Sequence, residues 1–505
     1  MTIVISGRDL SLDELIRVAR GRESVEIDAA AFDRMAASRT VVERAMADGI
    51  AAYGLTTGVG VLKRVSITGP DADAYARRMI RHHVVGQGPV APSDVARATL
   101  LLQLNAFASG TTGVRPVIAE RIASALNDGD APPVRILGSV GQADLAPLAE
   151  LSNALFGDVE LAAGEGLALV TGNAFATAWA ALAISDAGRL LDVLDVSAAL
   201  SLEGLAANLS TLHPAVERVR PHRGLSTSLA NIRKLLHGSA GWSTANARNL
   251  QDPLSFRNAA HVNGAARDAL AHAQAIVGVE LNASQGNPIV DVDAGEVVSV
   301  ANFEIAALAA ALDYLRIGLA TPIGVAAERV VKLLETAWSG LPTGLSASED
   351  PTDAGLEYLG IAVQALAAEA RLLAAPVSLE LTSTAHAEGI EDRTTMAPLA
   401  ARRTAEIVAL GQRVVAIELV VAGQAVDLRG RAPLGVGSER SLRALREVIP
   451  FVGPDAFVPD VERVVRRIEA GGFDTLLGEV DTAAAATVNP GPQSGGRDIP
   501  AGPAS

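Results

Sequence analysis

The sequence predicts a mainly α-helical protein, with a loop-rich N-terminal part over a bundle of long antiparallel helices. Three observations carry this. Hydrophobic residues make up 49% of the 505 but aromatics only 3%, so Ala, Val and Leu must fill the core. Such small residues suit close helix packing, and Ala is the best helix former. Beyond Ala176, apolar residues recur three and four apart, as in Ile407, Leu410, Val414, Ile417 and Val421. That spacing draws one apolar stripe along a long helix. Between Tyr53 and Gly172, Gly and Pro clusters such as "YGLTTGVG", "GQGPVAPSD" and "ASGTTGVRP" interrupt the chain. They mark loops joining shorter helices.

Taken in order, "TIVISG" alternates and reads as a short strand. "SLDELIRVAR" follows, with Ser11 as N-cap and Glu14 three residues later, the pattern of a capping box. "ANFEIAALAAALDYLRIGLA" and "LEYLGIAVQALAAEARLLAA" repeat the long-helix stripe. Three or more such helices imply a bundle. The expected organisation is a loop-rich domain over 1–190, a long-helix domain over 191–485, and a Pro-, Gly- and Ser-rich disordered tail over 486–505. No internal repeat of 20–50 residues is found.

Composition excludes several classes. Lys and Arg total 42 against 57 Asp and Glu, a net charge of −15. Nucleic-acid binding needs basic patches, so that partner is not expected. There is no Cys, which removes disulfides and thiolate metal sites. The N-terminus lacks the basic and apolar regions of a signal peptide. The apolar stretch "VVAIELVVAG" contains a carboxylate and falls short of a membrane span. The expectation is a soluble, cytoplasmic protein that acts on a small molecule, without membrane or metal. P-loop and HExxH motifs are absent, and "GVGVLKRV" lacks dinucleotide-binding spacing.

Several short stretches carry candidate chemistry. Tyr53 precedes a Gly-rich loop and is one of four Tyr. A phenol near backbone N–H donors can have a lowered pKa and act as a base; equally, a buried Tyr can simply anchor a loop. His82 and His83 adjoin another Gly-rich loop, but neighbouring positions on a helix diverge, which argues against a two-His metal site. Arg257, ending "QDPLSFR", has the fork geometry to clamp a carboxylate, or to cap a helix. "NASQGNPIVD", with Asn287, reads as a turn. "EGIEDRTTM" places Glu391 and Asp392 before a helix, where acidic residues are favoured.

In order along the chain, "YGLTTGVG", "HHVVGQG", "NAFASGTTGVRP", "GLALVTGN", "QDPLSFR", "NASQGNPIVD", "NFE", "IEDRTTMAPLAARR" and "AIELVVAGQAVDLRG" resemble the motifs of the histidine, phenylalanine and tyrosine ammonia-lyases and related aminomutases. The resemblance covers about residue 10 to 430. It implies the ammonia-lyase fold and a homotetramer whose sites draw on several subunits. It implies that Tyr53 is the catalytic Tyr, Arg257 the carboxylate-binding Arg and Glu391 an active-site Glu. It likewise implies that His83 and His82 are active-site positions and Phe303 lines the pocket.

One motif departs. The family's "GSVGASGDLAPLA" holds an Ala-Ser-Gly triad that cyclises to methylidene-imidazolone, an electrophile. Here the segment is "GSVGQADLAPLAE", with Gln142-Ala143 in the triad's place and one residue fewer. The methylene must come from a Ser hydroxyl, and Ala143 has none, so no cofactor is expected. Neighbouring positions differ as well. Thr171 replaces the family's Asn in "LVTGN", with Asn173 two residues on, Leu254 replaces a Tyr, and His261 replaces a Gln. Another Ala-Ser-Gly, residues 108–110, is expected at a helix end, outside the cyclising loop. The expected catalytic set is Tyr53, Glu391 and His83. The expected substrate contacts are His82, Arg257, His261, Asn173, Phe303, Asn287 and Leu254. Three readings stay open: an enzyme of this fold acting without the electrophile, a non-catalytic binding or scaffold homologue, or a lyase with another electrophile.

Overall fold

Thr2–Ile5 alternates exposed and buried residues, with Ile3 and Ile5 inward, and pairs in parallel with Ser24–Ile27. The computed structural model describes residues 2–67, 70–379, 387–430 and 433–478. The expected tail, 486–505, lies outside the described residues. Between the two strands runs Leu12–Ala19. Its capping box is formed: Glu14 N–H donates to Ser11 Oγ at 3.2 Å, and Ser11 N–H donates to Glu14 Oε2 at 2.9 Å. The strands of the described residues form three two-stranded sheets; everything else regular is helical.

The loop-rich region resolves into Pro70–His83, Ser93–Ala108, Pro116–Asp128, Leu145–Phe156 and Glu165–Val170. Pro70–His83 packs on both Leu145–Phe156 and Glu165–Val170. Gly166 makes the second contact possible: a Cβ there would lie 2.2 Å from the Ala76 carbonyl oxygen. Ser93–Ala108 is buried over most of its length. The Arg97 side chain inside it donates to the carbonyls of Val18, Leu126 and Gly129, which satisfies a buried cation's donors. Ala108 ends that helix. Ser109 Oγ donates to the Ala106 carbonyl at 2.7 Å, so residues 108–110 form a helix terminus and turn.

Beyond Ala174 come Ala174–Leu205, Ala259–Glu280, Ala306–Leu334, Leu359–Leu373 and Ala397–Leu428. The single stripe expected on the last is only part of the pattern. Leu410 is partly exposed, while 414–425 is buried on every side, as for a helix enclosed by neighbours. Sequence periodicity reads one face; burial all round depends on what surrounds the helix.

The chain divides into two compact units. One holds the described residues of Met1–Leu190, Ala266–Thr321 and Ala367–Gly411; the other holds Leu191–Ala265, Pro322–Leu366 and the described residues from Gln412 onward. The N-terminal unit thus extends past 190 to take in two later segments. In the second unit, Glu418 is fully buried and accepts hydrogen bonds from Arg329, Ser197 Oγ at 2.7 Å and Ser201 Oγ at 2.6 Å. Among the described residues one helical stretch, Glu165–Leu205, is long and apolar enough to cross a membrane, and 89% of its most apolar window is buried inside the protein.

Candidate active site

The segment 138–144 is pinned from several directions. Thr395 Oγ1 donates to the Gly141 carbonyl at 2.8 Å and Asn173 Nδ2 donates to the same oxygen at 3.3 Å. Met396 N–H donates to the Val140 carbonyl at 2.9 Å, and Asp144 N–H to that of Gly172 at 2.7 Å. Gly141 has φ +83, and a Cβ there would fall 2.1 Å from Thr395 Oγ1. Ala143 also lies in the left-handed region, φ +58, where an L-residue costs about 1–2 kcal/mol. Asp144 is wholly buried. It accepts from Ser139 Oγ at 2.8 Å and Ala176 N–H at 2.8 Å, at the start of Ala174–Leu205. Burial outweighs these bonds and pushes its carboxyl up to about 6.

Gln142 and Ala143 line a cavity of about 820 Å³. Tyr53 lies in its wall and accepts a 2.9 Å hydrogen bond from Gly60 N–H. The adjacent amide, Val59 N–H, donates to Tyr75 Oη at 3.0 Å, so two consecutive amides each hold one phenol. The lowering of the Tyr53 pKa expected from nearby N–H donors does not occur. Burial pushes it above its ordinary value, the Gly60 bond opposes this and loses, and the Glu391 charge adds to the rise. Tyr53 rests as a neutral phenol.

Tyr75, Met79, His82 and His83 line the cavity from Pro70–His83. Both His reach it although adjacent helical positions diverge, because the helix ends at His83 and the cavity wraps its last turn. His83 Nδ1 lies 2.7 Å from the Met79 carbonyl. A carbonyl only accepts, so Nδ1 carries a proton and donates it there.

Phe303, Asn287 and a polar cluster also line the cavity. Gln142 Nε2 donates to Glu304 Oε2 at 3.1 Å, Arg393 Nε donates to the same oxygen at 2.9 Å, and residues 142 and 304 form an antiparallel bridge. Glu391 and Asp392 also line the cavity. Asn173 does not: it is wholly buried behind the 138–144 loop and lines a smaller adjoining cavity. Leu254, Arg257 and His261 belong to the second unit and are not among the lining residues. There, Arg257 donates from Nη1 to Gln251 Oε1, while its Nε and His261 Nδ1 are buried without a partner. Burial, with the charge of Arg220, lowers the His261 pKa. Leu254 is exposed.

A family model described as aromatic amino acid lyase matches residues 10–161 and 158–447. The chain belongs to the aromatic amino acid lyase family. A relative in this family, the histidine ammonia-lyase of Caldanaerobacter subterraneus subsp. tengcongensis, is 30% identical over 94% of this chain and 98% of its own length. Among solved structures, the ergothioneine-degrading ergothionase of Treponema denticola, bound to desmethyl-ergothioneine sulfonic acid, matches with a TM-score of 0.88 and 28% identity, covering 94% of this chain and 99% of that one. Tyrosine aminomutase from Streptomyces globisporus matches with a TM-score of 0.88 and 27% identity, covering 95% and 99%. These likenesses show the ammonia-lyase fold.

In this aromatic amino acid lyase family member, the cavity residue Tyr75 lies outside the quoted motifs, and Glu304 and Arg393 fall inside "NFE" and "IEDRTTM" with no site role read for them there. Tyr75 had a usable signal, since 75, 79, 82 and 83 share one helical face. Glu304 and Arg393 had only their place in those stretches, because Glu304 meets Gln142 across 162 residues of chain and Arg393 across 89.

Proposed function

We propose that this protein is an enzyme that works without methylidene-imidazolone, on a small substrate with an anionic group and its own leaving group, using Tyr53 for proton transfer. The observation that carries the reading is that the Tyr53 phenol and Gln142-Ala143 line the same cavity. The residues at 142–143 do not fit the prosthetic group. No hydroxyl is available to leave as water, and the Gln142 side chain is held by Glu304.

Without an electrophile, a free amine is a poor leaving group, and general base catalysis supplies only about 10²–10⁴-fold. A quaternary ammonium needs no such help. A base takes the proton beta to nitrogen, the C–H electron pair becomes the double bond, and the C–N pair departs with a neutral amine. Similarity to an ergothionase makes ergothioneine, a trimethylammonium betaine, the first substrate to test. Carboxylates Glu304, Glu391 and Asp392 suit the cationic end of such a molecule. The resemblance gives Arg257 the role of holding the anionic group, in sites that draw on several subunits. His83 and Glu391 would complete the catalytic site with Tyr53 in the lining of that cavity.

The test is direct. The purified protein is incubated with ergothioneine and, separately, with histidine, phenylalanine and tyrosine. Amine release and absorbance of the unsaturated acid are followed. Turnover of the quaternary substrate alone is expected. Ammonia release from the free amino acids would overturn the reading.

A further inference from the structure

Tyr53, Leu167, Thr171 and Asn287 line two cavities, the large one and a second of about 60 Å³. The second has room for a few water molecules, since one needs about 10–15 Å³. Its wall is not apolar. Asn173 Oδ1 and Thr112 Oγ1 are buried there with no protein partner. Orphaned acceptors of this kind cost about 1–3 kcal/mol each unless water satisfies them. Asn173 cannot turn to find a partner: its Nδ2 is committed to the Gly141 carbonyl, and its backbone N–H donates to Gln285 Oε1 at 3.1 Å. Gln285 continues the polar line, donating from Nε2 to Thr177 Oγ1 at 3.1 Å and to Glu280 Oε2 at 2.7 Å. Glu280 ends it, half-buried and beside exposed Val279. Burial raises the Glu280 pKa against the Gln285 bond.

We propose that the small cavity is a proton exit path, in which ordered water connects the Tyr53 side of the substrate cavity to the Glu280 carboxyl. The inference rests on Tyr53 as the proton-transfer residue. It meets a need the site creates. A phenol that rests neutral can take a substrate proton only if its own proton leaves at the same time. Water on its other side is the acceptor, and each turnover that forms a double bond and a neutral amine leaves one proton to discharge. The path ends at a carboxylate that can take that proton and return it to solvent.

Two measurements test it on the full chain. A high-resolution crystal structure is expected to show ordered water bonded to Asn173 Oδ1 and Thr112 Oγ1; a dry cavity would sink the proposal. With ergothioneine as substrate, Glu280→Gln is expected to lower kcat about tenfold, within the general acid-base range, while KM holds. Glu280→Asp, or added imidazole buffer, should recover kcat. A merely structural Glu280 would give neither the kcat-only loss nor the buffer rescue, and unchanged kcat in Glu280→Gln would overturn the path. The two failures are distinguishable. Full activity of Tyr53→Phe defeats the Tyr53 reading and the path that starts from it, whereas a dry cavity alongside an inactive Tyr53→Phe defeats the path alone.

Discussion

Thr395 Oγ1 donates a 2.8 Å hydrogen bond to the Gly141 carbonyl, joining two segments 254 residues apart. The contact works only because residue 141 has no side chain. Gly141→Ala would place a Cβ on Thr395 Oγ1 at φ +83. It should destabilise the protein by about 2–4 kcal/mol, from overpacking and left-handed strain. A lower melting temperature, partly restored by Thr395→Ala in the same chain, is the expected result.

The intact mass should equal that of the unmodified sequence. A deficit of two waters would mean that the prosthetic group forms at Ala108-Ser109-Gly110, whereas a ring at 142–143, with no hydroxyl to lose, would show a deficit of one. Peptide mapping would say which.

Tyr53→Phe removes the phenol and leaves Gly60 N–H without its acceptor. Turnover should fall by at least about 10²-fold, while stability drops by only about 1 kcal/mol. Circular dichroism should be unchanged. Full activity would remove Tyr53 from the mechanism.

Asp144 should make stability depend on pH. Its carboxyl is raised in the fold from 3.8 to about 6, so the folded state binds the proton more tightly than the unfolded one. The contribution is fully present below about pH 4 and is lost as pH rises through about 6, with a total on the order of 3 kcal/mol. Asp144→Asn should flatten that slope between pH 4 and 6 in denaturant titrations. An unchanged slope would show that Asp144 does not titrate there.

Glu418 and Arg329 are both wholly buried, and Glu418 takes two Ser hydroxyls as well. Glu418→Ala strands a buried guanidinium and should cost about 3–5 kcal/mol. Replacing both partners with apolar residues should recover much of that, because no uncompensated charge remains. Chemical denaturation of the single and double variants checks both.

The helices, the Ser11 capping box, the helix end at Ala108 and the family were legible in the chain, because each rests on local spacing or on motif order. The absence of a hydroxyl at 142–143 was legible too, since it is a matter of residue identity. The all-round burial of 414–425 was not, nor was the upward shift of Tyr53. A motif places a phenol beside N–H donors but says nothing of how much water the fold removes.

The sequence by itself determined the helical fold, its family and the chemistry that residues 142 and 143 cannot supply. Tertiary structure alone decided that Gln142 and Arg393 meet on the Glu304 carboxylate, that Asn173 faces a second cavity rather than the first, and that Leu254, Arg257 and His261 fall in the other unit. The reason is physical. Spacing governs what a segment can form by itself, whereas desolvation, charge and side-chain meeting are set by residues that only folding brings close.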